Sequence, residues 1–215
     1  MSNNQRVLGI LKILKKEYKI EKPFLNFETD FQLLTAVILS AQCTDKRVNI
    51  VTKELFKKVK FPKDLIKISQ GDLEKYIFST GFYKNKAQYI KETAELLEKN
   101  FNGEVPNTMD KLLTLRGVHR KTANVILGYL HNKKDAFPVD THVLRLTNRL
   151  KLTKNKNPNK VEQDIIKITP NKDLFTFSTL LITHGRKICK AKNPKCSSCK
   201  INRFCPSAFK FKKDL

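Results

Sequence analysis

Leu115-Arg116-Gly117-Val118-His119-Arg120-Lys121-Thr122-Ala123-Asn124-Val125-Ile126-Leu127 is the stretch that decides the reading of this chain. Gly117 can take backbone angles that bulky residues avoid, so it suits a tight hairpin. From Thr122 onward, Ala123, Val125, Ile126, Leu127 and Leu130 have the spacing of a buried helix. The N–H groups that open a helix have no internal partner, and with the helix dipole they attract anions. A glycine turn feeding a helix is therefore a phosphate-binding design. Lys121 stands at that entrance, where the dipole and partial burial would both disfavour an ammonium. A lysine so placed can act as a neutral amine nucleophile. Taken alone, a lysine in so lysine-rich a chain is a solvated charge; its surroundings raise the catalytic alternative.

Working outward, composition sets the partner class. The 215 residues suffice for one or two small domains. Lys+Arg 43 against Asp+Glu 20 gives a net charge of +23, which suits a polyanion. An anionic membrane surface and an AT-rich genome that inflates lysine are the competing explanations. No run approaches the roughly 18 apolar residues of a membrane span, and Met1 to Arg6 lacks a signal-peptide core. The expectation is an intracellular protein of the cytoplasm or nucleoid, with no membrane partner.

The pattern along the chain is helical throughout, so the fold class is all-α. An amphipathic helix is expected over Val7 to Ile20, then a connection from Glu21 to Glu28 containing Pro23. Asp30 can cap a helix over Phe31 to Gln42, apolar on nearly every face and thus central and buried. Cys43 reads as a small buried hydrophobe. Helices follow from Thr44 or Asp45 to Lys58, at Pro62, and over Asp72 to Ser79. Thr80-Gly81-Phe82-Tyr83-Lys84-Asn85 is a glycine turn with two aromatics, either a hydrophobic staple or a nucleic-acid contact. Lys86 to Asn100 is amphipathic, with Ala87, Ile90, Ala94, Leu96 and Leu97 inward. A short helix from Thr108 to Leu115 leads into the hairpin. Asp140 precedes VLRLTNRL (143–150), so its ordinary role is an N-cap, in which donated N–H bonds also keep it ionised. Pro158 to Ile168 and Leu174 to Ile182 are two further helices, the latter leading through His184-Gly185-Arg186 to the cysteines.

Cys189, Cys196, Cys199 and Cys205 follow a C-x6-C-x2-C-x5-C pattern. In an intracellular protein they read as metal ligands rather than disulfides. Structural zinc usually has two C-x2-C knuckles and this chain has one, so a 4Fe–4S cluster fits better. The first gap carries Lys190, Lys192 and Lys195, which makes the loop a phosphate clamp or only part of a metal staple.

Together these motifs resemble the endonuclease III family, bifunctional DNA glycosylases and abasic-site lyases of the helix–hairpin–helix superfamily. The likeness is carried by LSAQCTD (39–45), TGFYKNKA (80–87), NGEVP (102–106), LRGVHRKTANVIL (115–127), VDTHVLRLTNR (139–149), HGR (184–186) and the four cysteines. The resemblance implies two helical lobes with a cleft between them. One is a six-helix barrel with the helix–hairpin–helix over residues 24–133. The other is an iron–sulfur cluster domain from 1–23 and 134–215. It implies Lys121 as the Schiff-base lysine and Asp140 as the catalytic aspartate. Gln42 would fill the space left by an extruded nucleotide, with Phe82 where the family commonly has a leucine wedge. Gly117, His119, Arg120 and the basic loop at Lys190, Lys192 and Lys195 would contact DNA. The implied partner is double-stranded DNA with damaged bases or abasic sites, bound by a monomer. The family prefers oxidised pyrimidines.

Two departures mark the hairpin. The family usually reads Leu-Pro-Gly-Val-Gly, where this chain has Arg116 and His119. If the second glycine position needs a positive φ, histidine is strained there, so the hairpin is expected to form with altered DNA-holding geometry. Three rival readings are disfavoured. An adenine mispair glycosylase has a glutamate where this chain has Ala36 and lacks the lysine. A thymine-mismatch glycosylase is disfavoured by Lys121. A non-catalytic DNA-binding module is disfavoured by Lys121 and Asp140 together.

Overall fold

The computed structural model describes residues 1–19 and 23–211. Its described residues form helices and connecting turns, with no strand among them. No helix among them is long and apolar enough to cross a membrane. The chain divides into two compact units: Met1–Glu21 with Lys133–Leu215, and Lys22–Asn132.

The continuous unit is built round α2, Asp30–Leu39, in which every residue from Phe31 to Leu39 is buried. Thr29, not Asp30, caps it by accepting from Gln32 N; Asp30 falls in the first turn, where its charge complements the dipole. The helix stops at Leu39 rather than Gln42. Ser40 Oγ donates back to Val37 O at 2.7 Å, and Gln42 turns left-handed at φ 53°, so the amide leaves the helix before it is reached. Cys43 is half-buried rather than buried. Around α2 pack α3 (Asp45–Lys58, capped by Thr44), α6 (Tyr83–Phe101) and α8 (Arg120–Leu130). The short α4 (Pro62–Ile66) and α5 (Gln70–Ile77) lie along α6, and α7 (Met109–Leu113) packs on α8. Helix α5 starts two residues before the expected Asp72 because Ser69 caps it, and a turn of 3-10 helix at Phe78–Thr80 follows. Helix α6 starts three residues early at Tyr83, with Leu96 only partly inward.

In the discontinuous unit, α1 runs Asn3–Glu17, earlier than the expected Val7 because Ser2 and Gln5 form a reciprocal capping box. The expected end at Ile20, like Glu21 and Lys22 of the connection, lies outside the described residues. Val7, Ile10, Leu11 and Leu14 enter a core shared with α9 (Thr141–Arg149), α10 (Pro158–Ile168) and α11 (Leu174–Lys187). Helix α11 continues five residues past Ile182, so His184-Gly185-Arg186 is helical. Gly185 is needed there: a β-carbon would stand 2.9 Å from His142 Cβ and 3.2 Å from Arg145 Nη2, so it lets α11 approach α9 closely.

Candidate functional site

In the continuous unit, Leu115 to Val118 form a turn closed by Val118 N donating to Leu115 O at 3.2 Å. Gly117 holds φ 73°, the sign that the third position of a type II turn requires. A β-carbon on it would lie 3.2 Å from Ile38 Cγ2 and 3.2 Å from Cβ and Cδ2 of Tyr89. Backbone conformation and close approach to α2 and α6 thus both demand glycine. The anticipated strain at His119 is absent: its φ is −104° and ψ 171°, extended backbone that any residue adopts, at the N-cap of α8. Arg116 occupies the second turn position, which proline suits but does not monopolise. Its Nε donates to Glu92 Oε2 at 2.9 Å, and its guanidinium lies 5.9 Å from the Tyr89 ring centre.

His119 is exposed and Arg120 half-buried at the opening of α8. Lys121 is the second residue of α8 and is exposed, so the partial burial expected for it is not found. Gln42 and Phe82 also project from this unit. Both have left-handed backbone, at φ 53° and 50°, and Phe82 is 66% exposed. Gln42 follows the end of α2 and Phe82 precedes α6, the two helices against which Gly117 is seated.

In the discontinuous unit, Asp140 is half-buried and caps α9, its Oδ1 accepting from Val143 N at 2.8 Å. The same helix reaches the cysteine segment through two arginines that sequence reasoning passed over. Arg145 Nη2 donates to Cys189 O at 2.9 Å and to Gly185 O at 3.1 Å. Arg149 donates from Nη1 to Lys190 O at 2.7 Å and from Nη2 to Ala191 O at 2.8 Å. One rigid element therefore carries Asp140 at its start and pins the basic loop by its backbone. Burial, the largest effect, holds His142 below the usual histidine range, with Asp140 opposing.

The four cysteines are half-buried, and three of them, Cys189, Cys199 and Cys205, pack against the core of this unit. Burial pushes the Cys199 thiol up to about 11, and Cys189, Cys205 and Cys196 add to the shift. Among the described residues no group of three or more His, Cys, Asp or Glu side chains could hold a metal ion. His184, the first residue of the HGR motif, is 2% exposed. Its Nδ1 lies 2.8 Å from Tyr18 Oη and its Nε2 3.3 Å from Cys199 Sγ. Lys190, Lys192 and Lys195 are exposed. Sequence reasoning also missed Lys86, buried on α6, whose Nζ donates to Leu39 O and Thr80 O. Its place on the inward stripe with Ile90, Ala94 and Leu97 was the available signal.

A model of HhH-GPD superfamily base excision DNA repair proteins matches residues 35–171. An endonuclease III of Synechocystis sp. is 45% identical, over 96% of this chain and 94% of its own length. Among solved structures, a non-covalent endonuclease III–DNA complex superposes with TM-score 0.92 at 38% identity, covering 98% of both chains. A trapped endonuclease III–DNA covalent intermediate, an estranged-adenine complex, gives TM-score 0.92 at 38% identity over 98% of this chain and 99% of the other.

Proposed function

Because the chain belongs to the HhH-GPD superfamily of base excision DNA repair proteins, we propose that it excises oxidised pyrimidines and cleaves the resulting abasic site through an imine on Lys121. The observation that carries this is the Gly117 turn opening into α8 with Lys121 exposed at its second position. A glycine turn that opens into a helix suits a phosphate, which brings the sugar beside the amine without base preference.

The damaged nucleotide leaves the stack before its sugar can be reached. Gln42 fills the vacated space and pairs with the orphaned base, and Phe82 wedges or stacks beside it. Lys121 forms an N–C bond at C1′ as the bond to the base breaks. Asp140 stabilises the cationic sugar and assists proton transfers, an effect worth roughly 10²–10⁴ in rate. Its Oδ1 accepts from Val143 N, which holds the carboxylate at the start of α9. The imine acidifies the C2′ proton; its loss expels the 3′ phosphate and the strand breaks. The exposure of Lys121 in the free protein means that bound DNA has to supply the desolvation the amine needs.

Cys189, Cys196, Cys199 and Cys205 suit a 4Fe–4S cluster. The donors are all sulfur, Cys199 senses the other three, and four thiolates together need a compensating cationic group. When bound, the cluster supplies structure, holding the loop of Lys190, Lys192 and Lys195 against the DNA backbone. Arg145 and Arg149 fix that loop to the helix bearing Asp140.

A nicking assay on two duplexes tests the function. One carries thymine glycol and the other an abasic site. Cleavage of the lesion-bearing strand in each duplex supports the glycosylase and lyase together. An intact abasic strand after full binding would leave a glycosylase without lyase activity or a DNA-binding module.

A further inference from the structure

Lys86 is 4% exposed, yet its partners are backbone carbonyls. Its Nζ donates to Leu39 O at 2.9 Å and to Thr80 O at 2.8 Å, and no described carboxylate forms an ion pair with it. A buried ammonium so placed is costly, and an apolar residue would continue the stripe of Ala87, Ile90, Ala94 and Leu97 at lower cost. Burial holds it below the usual lysine range, against an opposing pull from Cys43. Part of the cost is offset because Leu39 ends α2, where the negative end of the helix dipole favours a cation.

What the ammonium joins is the informative part. Leu39 and Thr80 lie 41 residues apart in sequence and belong to different segments. Leu39 stands three residues before Gln42 and Thr80 two before Phe82. Each segment then turns left-handed and presents an exposed side chain. We propose that Lys86 is a positioning residue that fixes the spacing of Gln42 and Phe82, the two side chains that enter the duplex as a nucleotide is extruded. This role presupposes the glycosylase function above. Lys86 touches no DNA; it sets the register of two probes that must arrive together.

The test places 2-aminopurine opposite a tetrahydrofuran abasic analogue and follows its fluorescence as the enzyme opens the site. Lys86→Met is expected to bind the duplex within about threefold of the unmodified protein but open it about ten- to a hundredfold more slowly, the scale of an ångström-sized misplacement. Lys86→Arg should recover most of the rate, since a guanidinium can span two carbonyls as that of Arg149 does. In a Phe82→Ala background the Lys86→Met effect should shrink to about threefold or less, because coupled residues are non-additive. A purely structural lysine would lower the melting temperature and leave an undiminished effect in that background. That result, or wild-type opening by folded Lys86→Met, overturns the proposal. If Lys86→Met is too unstable to assay, Lys86→Gln is judged by the same two criteria. No fluorescence change with unmodified protein would sink the parent function as well; a change that Lys86→Met preserves sinks only this role.

Discussion

Replacing Gly117 by alanine loads the hairpin twice. The position has φ 73°, where a β-carbon costs roughly 1–2 kcal/mol. The added carbon would also meet Ile38 Cγ2 and the Tyr89 side chain at 3.2 Å. Ile38 is 3% exposed and has little room to yield, whereas half-buried Tyr89 can give some way, which places the overpacking near the lower end of the usual range of about 1–3 kcal/mol. Together these give about 2–4 kcal/mol, a fall in melting temperature of roughly 5–15 °C for a chain of this size. Molecules that remain folded have re-aimed N–H groups at the opening of α8. Losing one charge-assisted bond, worth about 1.5–3 kcal/mol, weakens affinity for an abasic-analogue duplex about ten- to a hundredfold. Thermal melting and fluorescence anisotropy measure the two effects. Gly71→Ala is the control: nothing lies within 4 Å of its β-carbon position and it is helical, so alanine is neutral or stabilising by up to about 1 kcal/mol. A Gly117→Ala protein with unchanged melting and unchanged affinity would refute the reasoning.

Asp140→Asn should keep the cap of α9, since asparagine caps as well as aspartate, and melt close to the unmodified protein while turnover falls by about 10²–10⁴. Asp140→Ala should in addition lose about 1 kcal/mol of stability; equal turnover in all three proteins would confine Asp140 to capping. Neutralising Lys190, Lys192 and Lys195 together should flatten the dependence of log affinity on log salt by about 2–3, at roughly 0.9 per phosphate contact. An unchanged slope would remove the loop from the interface.

The helices were legible wherever local physics sets them. All-round apolarity placed α2, and the position of Asp140 before an apolar-periodic run marked its cap. Their ends were less legible, because side-chain bonds set them: Ser2 and Gln5 extend α1 backward, and Ser69 moves the start of α5. The helix expected to end at Ile182 runs on through Gly185, which is buried in α11 and admits His142 and Arg145. The hairpin was readable from Gly117, yet the harmlessness of His119 depended on a backbone angle that composition does not reveal. Lys86, Arg145 and Arg149 escaped because their partners are carbonyls distant in sequence, and a carbonyl leaves no signature in residue type. The desolvation expected of Lys121 also failed, since helix-start position fixes direction and not exposure.

Borohydride trapping on an abasic-site duplex tests the central claim most directly, comparing the unmodified chain with Lys121→Gln. A covalent protein–DNA adduct is predicted for the unmodified chain and none for Lys121→Gln, with duplex binding largely kept in both. An adduct of equal yield from Lys121→Gln would mean that another amine forms the imine, and would contradict the assignment of the hairpin lysine as nucleophile.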